Sequence, residues 1–331
     1  MKSKRSSYVF VTVCLAALLL VSLLAAGCTD TSKSTTSATT ASATAVSTPA
    51  ATAAATAAST VASTAAATPA ATSSGQKQTI TISGSTTVLP IVQKAADQYM
   101  ATHSDADIQV SGGGSGVGIQ AIGAKTVDIG MSSREVTSAE KTKYPDFDII
   151  TVAHDGIAVI VNPQNEIQYI TPDQVKNVYL GKVTKWTEIS GANVPNTNNA
   201  IVLVGRDSAS GTRSYFDESV LLKATPSSKM LEKNSNGAVT QTIAQTPGAI
   251  GYVSIGYVSS DVKAVPIWYN ADKIITPSAA TVKDKSYPLS RDLYIITNGQ
   301  PSGLTKDFID YILSADGQKI VADEGYVPIT A

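Results

Sequence analysis

The chain is predicted to be an α/β protein built on a mainly parallel sheet. Short apolar, β-branched runs alternate with stretches in which apolar residues recur every three or four positions. The joints between them are turns rich in Ser, Thr and Gly. Cysteine and histidine are scarce, two of each in 331 residues. Cys14 falls in a segment read below as removed, so no intrachain disulfide and no Cys-based metal site is expected.

Thr79–Ser83 alternates as a strand and Gly84-Ser85-Thr86-Thr87 forms its turn. Leu89, Val92, Ala96 and Tyr99 then share one helical face, with Pro90 in the first turn, where a missing N–H costs little. Ile108–Val110 is the next strand. It enters Ser111-Gly112-Gly113-Gly114-Ser115-Gly116-Val117-Gly118, followed by a short helix with Ile119, Ile122 and Val127. Successive glycine amides can converge on an anion. G-x-G-x-x-G does not occur in this run, and G-x-S-x-G fails at Val117. The Walker-like Gly118–Thr126 is one residue out of register and lies inside the helix, which argues against nucleotide hydrolysis.

The strand Thr126–Gly130 ends in Ser132-Ser133-Arg134, where Ser133 and Arg134 are candidate anion contacts. The alternative for Arg134 is a surface pair with Glu135. Two further strands, Asp148–Ala153 and Ile157–Val161, flank His154-Asp155-Gly156. Neighbours in extended chain face opposite sides, so His154 and Asp155 are not expected to couple. Thr171-Pro172-Asp173 caps a helix through Val175, Val178 and Tyr179.

The strongest single signal is the strand Ala200–Val204, the turn Gly205-Arg206-Asp207-Ser208-Ala209-Ser210-Gly211-Thr212-Arg213, and a helix carrying Tyr215, Phe216 and Val220. A helix N-terminus presents unpaired N–H groups and partial positive charge. Ser210 and Thr212 add hydroxyls, Gly211 admits a close ligand, and Arg206 adds a forked charge. This is an oxyanion receptor. The alternative is an ordinary serine cap beside solvated arginines. Ligands of such sheets sit beyond the carboxyl ends of strands, where all these turns lie.

Lys2, Lys4 and Arg5 precede an apolar run, Tyr8–Leu24, and Leu24-Ala25-Ala26-Gly27-Cys28 follows. Residues 1–28 read as an export signal ending in a lipobox-like site, with Cys28 lipidated, the alternative being an uncleaved signal anchor of the same outward topology. That makes the protein extracytoplasmic, anchored to the outer face of the membrane. Residues 29–78 are almost entirely Ala, Thr, Ser and Pro, without aromatic residues, and read as a disordered tether. A net charge of −1 gives no support to a nucleic-acid partner.

Taken in order, several motifs resemble the phosphate-binding proteins of high-affinity phosphate ABC importers. They are Gly84-Ser85-Thr86-Thr87, Gly114-Ser115-Gly116, Val127–Gly130 with Ser132-Ser133-Arg134, Asp155–Val159, Ser210-Gly211-Thr212-Arg213, Ala249-Ile250-Gly251-Tyr252 and Tyr287-Pro288-Leu289-Ser290-Arg291. The resemblance runs from about Thr79 to the end. It implies a two-lobed type 2 periplasmic-binding-protein fold with the ligand in the interlobe cleft and two crossover strands. The lobes are expected at 79–158 plus 286–331 and at 159–285. Inorganic phosphate is the implied ligand and ABC permease subunits are the implied partners. The protein is expected to act as a monomer, with no cofactor, no metal and no catalysis.

By position, Thr86, Ser115, Ser133, Arg206, Ser210, Gly211 and Thr212 match the family's phosphate contacts. Ser85, Arg134 and Asp155 join them from motif context. Some members carry Asp where Ser133 stands, and an acid followed by Gly where Ser208-Ala209 stands. Here Asp155 is expected to accept the ligand's proton, which would favour phosphate over sulfate, and Asp207 to orient Arg206. Three other readings stay open: a binding protein for another tetrahedral oxyanion (molybdate, tungstate or sulfate), a hydrolase built on Ser210 or Ser115, and a surface adhesin or sensor that uses phosphate binding only as a signal.

Overall fold

The computed structural model describes residues 77–270 and 273–330. The segments expected to be an export signal and a tether, with Cys28 between them, lie outside the described residues up to residue 76. The first described strand, β1 (Gln78–Gly84), already includes Gln78, and its turn leads to α1 (Leu89–Thr102). Next come β2 (Ala106–Ser111), α2 (Ser115–Gly123), β3 (Ile129–Ser132) and α3 (Ser138–Lys143). A long strand, β4 (Phe147–Val161), leads to α4 (Pro172–Tyr179), β5 (Val202–Arg206), α5 (Gly211–Ser219), β6 (Leu231–Lys233) and α6 (Asn236–Gln245). The chain continues through β7 (Ala249–Ser254), β8 (Lys263–Ala264), β9 (Ile267–Asn270), β10 (Lys273–Ile275) and α7 (Ala279–Lys283). It closes with β11 (Ser290–Asn298), α8 (Gly303–Leu313) and α9 (Ala315–Asp323).

The main sheet runs β2-β1-β3-β11-β4-β7-β5-β6, with β8 beside β4. Its pairing is mixed, not mainly parallel. β1 is parallel to β2 and β3, and β5 is parallel to β6 and β7. The centre is antiparallel: β11 against β3 and β4, and β4 against β7. β4 carries the chain out of one half and β11 brings it back, so the two lie side by side in opposite directions.

The two strands expected on either side of His154–Gly156 are one continuous strand. Residues 147–156 of β4 pair with β11, and residues 157–161 pair with β7. The partner changes at Gly156. Two apolar cores follow from that change. One gathers Ile80, Ile82, Val92, Ile108, Met131, Ile295 and Phe308. The other gathers Ile157–Val161, Tyr179, Trp186, Val204, Phe216, Val239 and Tyr252. Each fully buried large apolar side chain contributes roughly 1.5–3 kcal/mol.

The turns expected beyond strand ends are where the two halves meet. After β1, Ser85 Oγ accepts the amides of Thr87 (3.2 Å) and Val88 (3.4 Å), closing the turn into α1. α5 is capped by Ser210, whose Oγ accepts the Arg213 amide at 3.1 Å. Removal of such a cap costs about 1 kcal/mol. Gly114 precedes α2 at φ 98°, and a β-carbon there would lie 2.6 Å from the Ala209 carbonyl oxygen. Only glycine suits both the backbone angle and the contact. Val127 lies outside α2, between it and β3.

Candidate anion-binding site

Between the two cores lies a layer of buried polar side chains: Ser85, Thr86, Thr87, Ser115, Ser133, Asp155, Arg206, Ser210, Thr212, Asn236, Ser254 and Arg291. Burying so many polar groups is costly unless they are paired. Nearly all are. Ser115 Oγ accepts the Ser133 amide at 3.0 Å and lies 3.3 Å from Ser133 Oγ. Thr87 Oγ1 lies 3.1 Å from Thr212 Oγ1. A β-carbon on Gly211 would come within 2.2 Å of Ser115 Oγ and 2.9 Å of Ser133 Oγ, so the start of α5 packs directly on the turns of the other half.

Arg206 is the exception. Its amide donates to Tyr252 Oη at 3.3 Å, and Tyr252 stacks on Phe216 with centroids 3.9 Å apart, so the second core anchors its backbone. Its Nε donates to the Lys233 carbonyl at 3.1 Å, and Nη2 donates to the Asn234 carbonyl and to Thr86 Oγ1, each at 3.1 Å. Nη1 is buried with no partner. Burial pulls the Arg206 guanidinium below its ordinary value, against the attraction of Asp207 and Tyr252. A buried cation with a spare donor is a site for an anion. The first-turn amides of α5, at Gly211 and Thr212, have no acceptor inside the helix. Together these groups offer a charge, amides and hydroxyls from separate turns.

Two expected contacts are used elsewhere. Arg134 turns away and binds Glu140 through two bonds of 2.8 Å, the N-terminal acid of α3 being the nearer anion. That bond, followed by others from Thr137, holds the Glu140 carboxyl down at about 2. Asp155 joins the layer, but as a counter-ion. Oδ2 accepts Arg291 Nε (3.0 Å) and Nη2 (2.8 Å), and Oδ1 accepts Ser254 Oγ at 2.7 Å. Three of its roughly four lone-pair directions are filled. Burial pushes its carboxyl up, while Arg291 and Ser254 pull it down. The proton-acceptor role expected for it is therefore poorly served. Asp207 does not hold Arg206 either; main-chain carbonyls and Thr86 do, and Asp207 Oδ1 is itself without a partner.

Arg291, Asn236 and Thr87 belong to the layer and were not singled out from the sequence. Arg291 stands in a motif that was noted, Tyr287–Arg291, and reaches Asp155 because β11 and β4 place the two directly opposite. Both histidines are occupied away from the serines. His103 stacks on Tyr99 at 3.9 Å, and His154 Nδ1 lies 2.6 Å from Asp292 Oδ1. Neither histidine forms a hydrogen bond with Ser115 or Ser210 among the described residues. Among the described residues no group of acidic, His or Cys side chains could hold a metal, and no helix is long and apolar enough to cross a membrane.

Residues 29–316 match the model of a periplasmic-binding-protein-like family, described as a PBP superfamily domain. The phosphate-binding protein PstS of Bacillus subtilis (strain 168) is 38% identical over 255 residues, 76% of this chain and 81% of that protein. The chain belongs to the PstS phosphate-binding protein family. A PstS of Staphylococcus aureus (strain USA300) is 30% identical over 256 residues, 74% of this chain and 76% of its own length. Among solved structures, a putative phosphate ABC transporter substrate-binding protein from Clostridium perfringens, with bound phosphate, superposes with a TM-score of 0.70 at 32% identity. It is covered completely and covers 76% of this chain. An ABC-type phosphate transport receptor from Vibrio cholerae gives 0.60 at 31% identity, with 75% of this chain and 99% of that one covered. The fold is accordingly the two-lobed type 2 periplasmic-binding-protein fold shared by these PstS relatives.

Proposed function

We propose that this member of the PstS family captures inorganic phosphate outside the cytoplasm and passes it to an ABC importer. The observation that carries the reading is Arg206, a buried guanidinium with one unpartnered nitrogen beside a helix N-terminus and a layer of hydroxyls. Phosphate oxygens accept from Arg206 Nη1, from the Gly211 and Thr212 amides and from Thr86, and the ligand meets the Ser115 and Ser133 hydroxyls. Ser85 and Ser210 shape the turns that present them. Each charge-assisted bond in such a site is worth about 1.5–3 kcal/mol. The lobes are residues 79–158 with 286–331, and residues 159–285. Closure of one on the other replaces the ligand's water shell with these donors.

Delivery takes place as a monomer docking on the permease subunits, with a lipid on Cys28 and the tether keeping the binding domain close to the membrane. Calorimetric titration of the full chain with phosphate, sulfate and molybdate tests the ligand. Phosphate binding at least tenfold tighter than either of the others is expected. Tighter binding of another oxyanion, or none at all, would overturn the assignment. Mass spectrometry of the mature protein tests the anchor, and an unmodified Cys28 would remove it.

A further inference from the structure

A hydroxyl group donates or accepts according to its surroundings, and the choice matters when the ligand itself carries a proton. In the buried layer the surroundings of two hydroxyls leave no choice. Asn236 is fully buried at the first turn of α6. Its Oδ1 accepts the Ser254 amide at 3.5 Å. A main-chain N–H only donates, so this contact orients the side-chain amide and leaves Nδ2 to donate to Thr87 Oγ1 at 2.9 Å. Of the two hydrogens on Arg291 Nη2, one goes to Asp155 Oδ2 at 2.8 Å and the other is shared between Thr212 Oγ1 at 3.0 Å and the same Thr87 Oγ1 at 3.3 Å.

A hydroxyl oxygen has two lone pairs. The two nitrogens hydrogen-bonded to Thr87 Oγ1, Asn236 Nδ2 and Arg291 Nη2, only donate, so its own proton goes to Thr212 Oγ1, 3.1 Å away. Thr212 then receives the Thr87 proton and the shared Arg291 hydrogen, and its own proton is left for a group in the cleft. We propose that Asn236 and Arg291 are positioning residues that fix the Thr87 and Thr212 hydroxyls in one direction, making Thr212 an obligate donor to the bound anion. The Ser115–Ser133 pair differs. Ser115 Oγ takes the Ser133 amide, and the two hydroxyls, 3.3 Å apart, remain free to turn. A proton carried by the ligand finds its acceptor there. One such place suits a phosphate bearing a single proton.

This proposal rests on phosphate being the ligand, and a double-mutant cycle on the full chain separates the two. Phosphate affinity is measured by calorimetry for wild type, Thr87→Val, Asn236→Leu, the double variant and Thr87→Ser. Should Thr87→Val not fold, Thr87→Ala completes the cycle. Each single loss of the relay is expected to weaken binding about tenfold. The double variant is expected to lose about tenfold, not a hundredfold, because Asn236 acts through the Thr87 hydroxyl. Thr87→Ser, which keeps the hydroxyl, stays within about threefold of wild type. A wild type that binds phosphate while the two losses multiply, or while Thr87→Val binds normally, overturns this proposal alone. A wild type that ignores phosphate overturns the ligand assignment and this proposal with it.

Discussion

Nη2 of Arg206 donates to Oγ1 of Thr86 at 3.1 Å, joining side chains 120 positions apart in the chain. One comes from the end of β5 and the other from the turn after β1, so the bond ties the two halves together across the layer between them. The guanidinium that makes this tie is also the one with an unpartnered nitrogen. Under the proposed function, closure and anion capture would therefore draw on the same side chain.

Arg206→Ala should lower phosphate affinity by at least about a hundredfold, as expected for losing one or two charge-assisted bonds. Arg206→Lys should recover only part of it, since an ammonium cannot reproduce the fork. Calorimetry reads both, with circular dichroism to check the fold. Wild-type affinity in Arg206→Ala would exclude it from the site.

Gly211→Ala places a β-carbon 2.2 Å from Ser115 Oγ and 2.9 Å from Ser115 Cβ. The start of α5 then cannot seat against α2. Phosphate affinity should fall at least about tenfold, while helix propensity improves by up to about 1 kcal/mol. The urea midpoint without phosphate should thus change little. A variant that binds as tightly as wild type would show that the halves need not approach this closely.

Asp155→Asn should destabilise the protein by about 3–5 kcal/mol, because it leaves Arg291 a buried charge without its counter-ion. Replacing both, as Asp155→Asn with Arg291→Met, should recover part of that loss. Urea unfolding of the four proteins gives the comparison. Equal stability of the single variant and wild type would mean that the pair is not the unit described here.

Glu140 gives a pH signature away from the layer. Its folded carboxyl is held down at about 2, first by the Arg134 hydrogen bond, against an ordinary value of 4.5. A carboxyl depressed by folding stabilises the protein above its unfolded value, and that stability is lost as pH falls through the folded value. Glu140→Gln should therefore be less stable than wild type at neutral pH, with the gap closing between about pH 4.5 and pH 2. Denaturant titrations across that range test it. A gap that is the same at pH 3 as at pH 7 would rule out the ion pair as its source.

Much of this was legible in the sequence where structure is local. The turn after β1, the glycine run before α2 and the Ser210 cap of α5 each announce themselves through residues within a few positions. The strand-to-helix alternation gave the fold class for the same reason. What could not be read depends on which strands become neighbours. Arg291 meets Asp155 only through the antiparallel register of β11 and β4, 136 positions apart, and Asn236 meets Thr87 across 149. Arg134 bonds Glu140 instead, an acid one helix start further on that a capping box holds in place to receive it. Asp155 lies in the buried layer, and Arg291, brought beside it by the antiparallel register, takes up one oxygen of its carboxylate.

β4 has a last implication. A single strand serves two cores, pairing with β11 up to Gly156 and with β7 from Ile157 onward. Side chains alternate along it, so one inserted residue near Gly156 would turn every later side chain to the opposite side. The interval between Asp155 and the Ile157–Val161 run is therefore as constrained as the identity of either. Sequence drift in this protein should tolerate changes of letter here far better than changes of length.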